Sequence, residues 1–153
     1  MDRFEEYKFF GGWIESLSER RRAISTIYLS VNTGIFTVFA FLVKDAGFRG
    51  WSFVLVSLPL FAAGVLASLV WHRIITDYKQ VIGWHYEQLR DMETTLEGCS
   101  RTFTREWERF YRPEKSRPRY CFSDLEIWLP RSFMGLYAVY AIGIVLATLV
   151  GLT

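Results

Sequence analysis

Residues 52–71 read SFVLVSLPLFAAGVLASLVW, and the fold turns on that stretch. It contains no Asp, Glu, Lys or Arg, and two further windows, 23–43 and 132–153, share the property. The three windows hold 20, 21 and 22 residues, so all 34 charged side chains are confined to the other 90 positions. Surface helices of a soluble domain would each carry a charged face, and a disordered chain would lack the apolar runs. About 20 apolar residues at ~1.5 Å rise each cross the ~30 Å hydrocarbon core of a bilayer. The reading is an all-α membrane protein with three transmembrane helices.

Working outward, Trp51 and Trp71 flank the quoted span at a separation of ~30 Å along a helix, the place where interfacial tryptophans belong. Pro59 inside it removes one backbone donor and predicts a kink. Beyond Trp71 no breaker follows. Tyr78, Ile82, His85, Leu89, Met92 and Leu96 step 4, 3, 4, 3, 4, an a/d seam under three heptads long. Gly98 is the expected C-cap, residues 100–112 carry a shorter helical pattern, and 112–119 reads as a proline-containing loop. On the N-terminal side, Tyr7, Phe10, Ile14 and Leu17 share one face of an amphipathic helix over residues 2–22. That face packs either on the protein's own extramembrane helices or in the lipid interface. Gly11-Gly12 weakens the helix by ~1 kcal/mol per glycine and marks a possible kink.

The segments are therefore 1–22, an amphipathic helix; 23–43, span one; 44–50, a tight loop; 51–72, span two; 73–131, a helical domain; and 132–153, span three. Lys and Arg number five in 1–22, two in 44–50, eleven in 72–131 and none in the C-terminal window. By the positive-inside rule the N-terminus and the 73–131 domain lie in the cytosol, with the C-terminus outside.

No phosphate-binding glycine loop, dinucleotide fingerprint, HExxH or nucleophile elbow is present, so no enzyme activity is expected. Two cysteines and two histidines at scattered spacing give no metal site, and no cofactor is expected. A net charge of +2 carries no nucleic-acid signature.

The remaining leads are polar or small residues in the spans and basic residues at their edges. Asn32, the only asparagine of the chain, lies near the middle of span one beside Thr33. Both are candidates either for bonds between helices or for the lining of a pore. Gly143, Ala147 and Gly151 form a small-residue strip in span three, as Gly64 and Ser68 do in span two, and such strips let helices approach closely. This strip and the seam Leu89, Met92 and Leu96 are the candidate subunit contacts. Arg117, Arg119 and Arg131, with Tyr120 and Trp128, are candidates for anionic lipid head groups at the inner interface.

Several stretches together carry a resemblance. Glu5-Glu6-Tyr7-Lys8 is followed by Glu19-Arg20-Arg21-Arg22, which runs into Leu29-Ser30-Val31-Asn32-Thr33. Trp71-His72-Arg73-Ile74-Ile75-Thr76-Asp77-Tyr78-Lys79 leaves span two, and Phe122-Ser123-Asp124-Leu125-Glu126-Ile127-Trp128-Leu129-Pro130 enters span three. In these the chain resembles the RipA family of small bacterial inner-membrane proteins. The resemblance implies a homo-oligomer, an octamer, in the cytoplasmic membrane, tied to bacterial growth in host cells and to envelope lipid homeostasis, without chemical activity.

The expectation is thus a homo-oligomeric inner-membrane scaffold or regulator, its ring built from three-span subunits. Its partners are further copies of itself, membrane lipids and an unidentified cytosolic protein. The rival readings are a gated pore that depolarises the membrane in stress or antiviral defence, and an accessory subunit of another membrane complex.

Overall fold

The computed structural model describes residues 3–44, 50–96, 100–110 and 122–151. Among these residues the chain is all helical: α1 (Arg3–Lys44), α2 (Trp51–Thr95), α3 (Thr102–Phe110) and α4 (Phe122–Leu149). α1, α2 and α4 each contain a stretch long and apolar enough to cross a membrane.

α1 and α2 hold 42 and 45 residues, so at ~1.5 Å per residue each is over ~60 Å long, about twice a hydrocarbon core. The predicted amphipathic helix and span one are one continuous rod, with no break at Gly11-Gly12. Packing against α2 offsets the local cost of the two glycines. Contacting pairs along this hairpin run Phe39–Phe61, Asn32–Ser68, Tyr28–Trp71, Phe10–His85 and Tyr7–Glu93. As one number falls the other rises in step, the signature of an unbroken antiparallel register. α4 runs parallel to α1: Glu126, Tyr137 and Tyr140 meet Arg21, Asn32 and Phe39 in order.

Two cores form along the rod. In the span region Phe53, Val54, Phe61, Tyr137 and Ile144 are buried, with Phe36 and Phe39 against them. Outside the spans Ile14, Ile82 and Leu89 are buried, joined by Tyr7, Phe10, Leu17, Met92 and Phe103. The predicted amphipathic face of α1 thus packs on the predicted seam of α2. In water each such buried side chain contributes about 1.5–3 kcal/mol. In lipid that driving force is missing, and the helices are held by packing and hydrogen bonds.

Two sequence expectations are corrected here. Leu89 is buried inside the protomer, so it has no surface to offer a second subunit, and Met92 packs on the same intramolecular core. Trp71 is not an interfacial anchor: it is 1% exposed, stacked face to face on Tyr28 at 6.1 Å and 6°, with Phe133 on another side. Trp51, by contrast, is exposed. The expected cap Gly98 and the loop 112–119 lie outside the described residues.

Gly12 is exposed and a Cβ there would meet nothing. Gly12→Ala is therefore expected to stabilise the extramembrane half of α1 by about 0.5–1 kcal/mol. Slower amide exchange between Phe10 and Leu17 would register it; faster exchange would contradict it.

Candidate functional site

Two buried polar nodes organise the molecule. The first lies in the spans. Asn32 is fully buried, and each end of its amide has work. Its Oδ1 accepts from the Tyr137 hydroxyl at 2.8 Å and from Ser68 Oγ at 3.1 Å, while Nδ2 donates to the Tyr28 carbonyl oxygen at 2.8 Å. One side chain of α1 thus ties α2 and α4 together where no water is present to replace a lost bond. Gly64 makes this possible, because the Tyr137 ring lies against its backbone where a side chain would stand.

Thr33 points elsewhere. Thr26, Ser30, Thr33 and Thr37 step 4, 3, 4 along α1, are all exposed, and each donates its hydroxyl to the backbone carbonyl four residues earlier. Asn32 and Thr33, neighbours in sequence and ~100° apart on the helix, therefore serve different faces, one buried and one exposed.

The second node lies outside the spans. Glu93 is fully buried, with four donors on its carboxylate. Oε1 accepts from Tyr7 OH and the Phe103 amide, each at 3.0 Å. Oε2 accepts from the Thr104 amide at 2.8 Å and Thr104 Oγ1 at 2.7 Å. Phe103 and Thr104 open α3, so Glu93 caps that helix from α2, satisfying orphan amides and complementing the positive end of its dipole. Burial pushes the carboxyl pKa up, but the bonds from Thr104, Phe103 and Tyr7 outweigh it and hold the group below the ordinary carboxylate value. Above this cap Phe103 packs edge-on against Tyr7, and Arg90 lies 4.0 Å over the Trp107 ring.

Between the nodes, Arg21 Nε stands 3.1 Å from Glu126 Oε2, linking α1 to α4. The pair is a charge contact without a well-aligned hydrogen bond. Among the described residues no group of three His, Cys, Asp or Glu side chains is placed to hold a metal.

The model of the octameric membrane protein family matches residues 4–147. The chain belongs to that family. No curated protein and no solved structure matches it. The sequence expectation of a small oligomeric membrane-protein family is met at that level.

In this octameric membrane protein family member, the remaining sequence candidates are scattered. Gly143 is open, and a Cβ there would meet nothing; Ala147 is partly buried; Gly151 lies past the end of α4 with φ 73°. They do not form one helical strip. Gly64 and Ser68 are used inside the protomer, against Tyr137 and Asn32. Leu96 follows the end of α2, where its amide donates to the Met92 carbonyl oxygen. Arg131 is exposed, 6.0 Å from the Trp128 ring, while Arg117, Arg119 and Tyr120 lie outside the described residues. Sequence reasoning missed Tyr137 and Glu93. A Tyr among the apolar residues of a span was a usable signal for the first, one that Tyr140 shares; the second was marked only by its place beside Met92 on the seam.

Proposed function

We propose that the chain is a non-enzymatic scaffold of the bacterial cytoplasmic membrane. It assembles with copies of itself into an octameric ring and offers its extramembrane helices to a protein partner in the cytosol. Family membership supports the self-assembly, and the resemblance to the RipA family supports the bacterial inner membrane and a role in envelope lipid homeostasis. The distribution of Lys and Arg supports a cytosolic N-terminus and an external C-terminus. The observation that carries the reading is the fate of the polar groups in the spans. Asn32, Ser68 and Tyr137 satisfy one another between helices, which supports a role in holding the protomer together rather than in lining a path for ions.

One observation favours the pore as a second reading. The exposed hydroxyl row of Thr26, Ser30, Thr33 and Thr37 would line an axis if α1 faced the centre of the ring. Against it, each hydroxyl is satisfied by its own helix and so tolerates lipid or a packed neighbour, and no span carries a charged ring to select ions.

Particle mass and ion flux decide between these. The detergent-solubilised particle is expected to weigh eight chains, and a stoichiometric foreign subunit would instead make it an accessory component. In liposomes, wild type and Thr33→Leu are both expected to give background ion flux. Strong wild-type conductance abolished by Thr33→Leu would install the pore, since a ring of apolar side chains closes a channel by dewetting.

A further inference from the structure

Outside the spans the hairpin of α1 and α2 has two flanks, and they differ. One carries α3: Phe103 packs on Tyr7 of α1 and on Tyr86 of α2. Gly11, Glu15 and Tyr86 border a small crevice against Phe103 on this side. The other flank is bare and aromatic. Trp13 is two residues from both Gly11 and Glu15, and Trp84 is two residues from Tyr86, in each case ~200° round the helix. The rings there form a continuous ladder. Trp13 stacks on Phe9 at 6.2 Å, Phe9 meets Phe10 at 6.1 Å, Phe10 meets His85 at 6.0 Å, and His85 meets Trp84 at 5.0 Å. His85 is fixed in the seam, its Nδ1 donating to the Val81 carbonyl oxygen at 2.8 Å. Phe9, Trp13 and Trp84 are 57%, 43% and 54% exposed.

Lipid does not reach this surface. Trp13 lies ten residues before the apolar window of α1, and Trp84 thirteen after that of α2, so they stand ~15 and ~20 Å beyond the hydrocarbon edge. Head groups occupy only about 5–8 Å on each side. Contiguous exposed rings in water mark a protein interface. Asp77 and Asp91 lie seven residues either side of Trp84, on the same helical face, and both are exposed. They give the ladder an acidic border. On the α3 flank Arg105 and Arg109 are exposed one turn apart, on the side of α3 turned away from Trp107, with Glu106 and Glu108 exposed to either side of them.

A ring closed by one rotation axis brings two different faces of each subunit together, one toward each neighbour. This protomer has two such faces on opposite sides of its hairpin, one acidic-bordered and aromatic, the other with exposed arginines. We propose that the ladder of Phe9, Trp13 and Trp84 is the extramembrane subunit contact, and that its occupant is the α3 flank of the neighbouring copy. Arg105 and Arg109 there supply guanidinium groups for the tryptophan faces and for Asp77 and Asp91. The inference rests on the octameric reading above.

The test is disulfide cross-linking in native membranes, on a background of Cys99→Ser and Cys121→Ser. Trp84→Cys with Arg105→Cys is expected to give a series of covalent bands rising from dimer toward octamer, because each subunit is linked on both sides. Each single substitution is expected to give monomer. Dimers from Trp84→Cys alone would mean that the ladder meets its own kind, and absence of bands from the pair would remove α3 as occupant; either overturns the proposal. In parallel, Trp13→Glu with Trp84→Glu is expected to cut the octameric fraction at least tenfold while helix content by circular dichroism stays at the wild-type level. Full octameric mass in that variant overturns the proposal, as does a foreign protein seated on the ladder at one copy per chain. A wild-type particle that is not an oligomer would instead remove the octameric reading itself.

Discussion

Replacing Glu93 with alanine is expected to release α3 from the hairpin while the three spans stay folded. The substitution removes the acceptor for two backbone amides, a phenol and a threonine hydroxyl at once. Hydrogen bonds to a charged group contribute ~1.5–3 kcal/mol each, and they do not add fully when they share one carboxylate. A loss of about 3 kcal/mol in α3 docking is a conservative expectation. A nine-residue helix has no independent stability to fall back on. Amide exchange should therefore accelerate at Phe103 and Thr104 by two orders of magnitude or more, about what 3 kcal/mol yields at ~1.4 kcal/mol per tenfold. Protease sensitivity of α3 should rise with it. Glu93→Gln should fail nearly as badly, because its NH2 group would face donors where the second oxygen accepted. Unchanged exchange in Glu93→Ala would mean that Phe103 packing and the Arg90–Trp107 contact hold α3 unaided.

The same site sets a pH dependence with a definite sign. Glu93 has a folded pKa below its ordinary value of 4.5. Its unfolded form therefore binds the proton more tightly, and the linkage stabilises the folded state in full above the ordinary value. That stability is lost as pH falls through the folded pKa. Docking of α3 should be flat between about pH 6 and 8 and weaken only in acid, below the usual carboxylate range. Release of α3 near neutrality would have to come from another group.

How much of this was legible follows from what each residue needs from its neighbours. The spans were legible because a bilayer imposes length and apolarity on each helix separately. The pairing of Tyr7, Phe10, Ile14 and Leu17 with the 78–96 seam was half legible. Both stripes could be read, but not that each was the other's partner, and so Leu89 was assigned to a subunit contact it does not make. Trp71 sat at the right distance from Trp51 for an interfacial anchor. Its burial depends on Tyr28 and Phe133, which come from two other helices. Asn32 announced itself as the only asparagine of the chain, yet whether it faced a pore or another helix depended on Tyr137, 105 residues away. Glu93 was the least visible. It lies one turn beyond Leu89 on the seam and looks like an ordinary surface glutamate until α3 folds back over it. Local periodicity identified faces; the partners of polar atoms are set by tertiary geometry that no spacing encodes.

Gly64→Ala tests that geometry at its tightest point, and a loss of about 2–3 kcal/mol is expected, the upper part of the range for overpacking. A Cβ at Gly64 would overlap Tyr137 Cζ and stand 2.7 Å from Cε1 and Cε2. The ring has little freedom to yield. Its hydroxyl is held on Asn32 Oδ1 at 2.8 Å, one face stacks on Phe36 at 4.8 Å and 3°, and Phe61 stands 5.9 Å from it. Moving the ring breaks the bond to Asn32, and keeping the bond forces α4 away from α2. Both routes damage the same node, so the cost should exceed that of a methyl group added to an open helix face. Gly143→Ala supplies that comparison, since its Cβ would meet nothing, and it should be neutral or slightly stabilising. The decisive measurement is a double-mutant cycle by reversible unfolding in mixed micelles. Tyr137→Leu alone should destabilise by removing the ring and the bond to Asn32. Adding Gly64→Ala in that background should then cost little, leaving a coupling energy close to the whole effect of the single substitution. Additive losses would place the penalty of Gly64→Ala in the backbone of α2, and the close approach of Tyr137 would not be what requires glycine there.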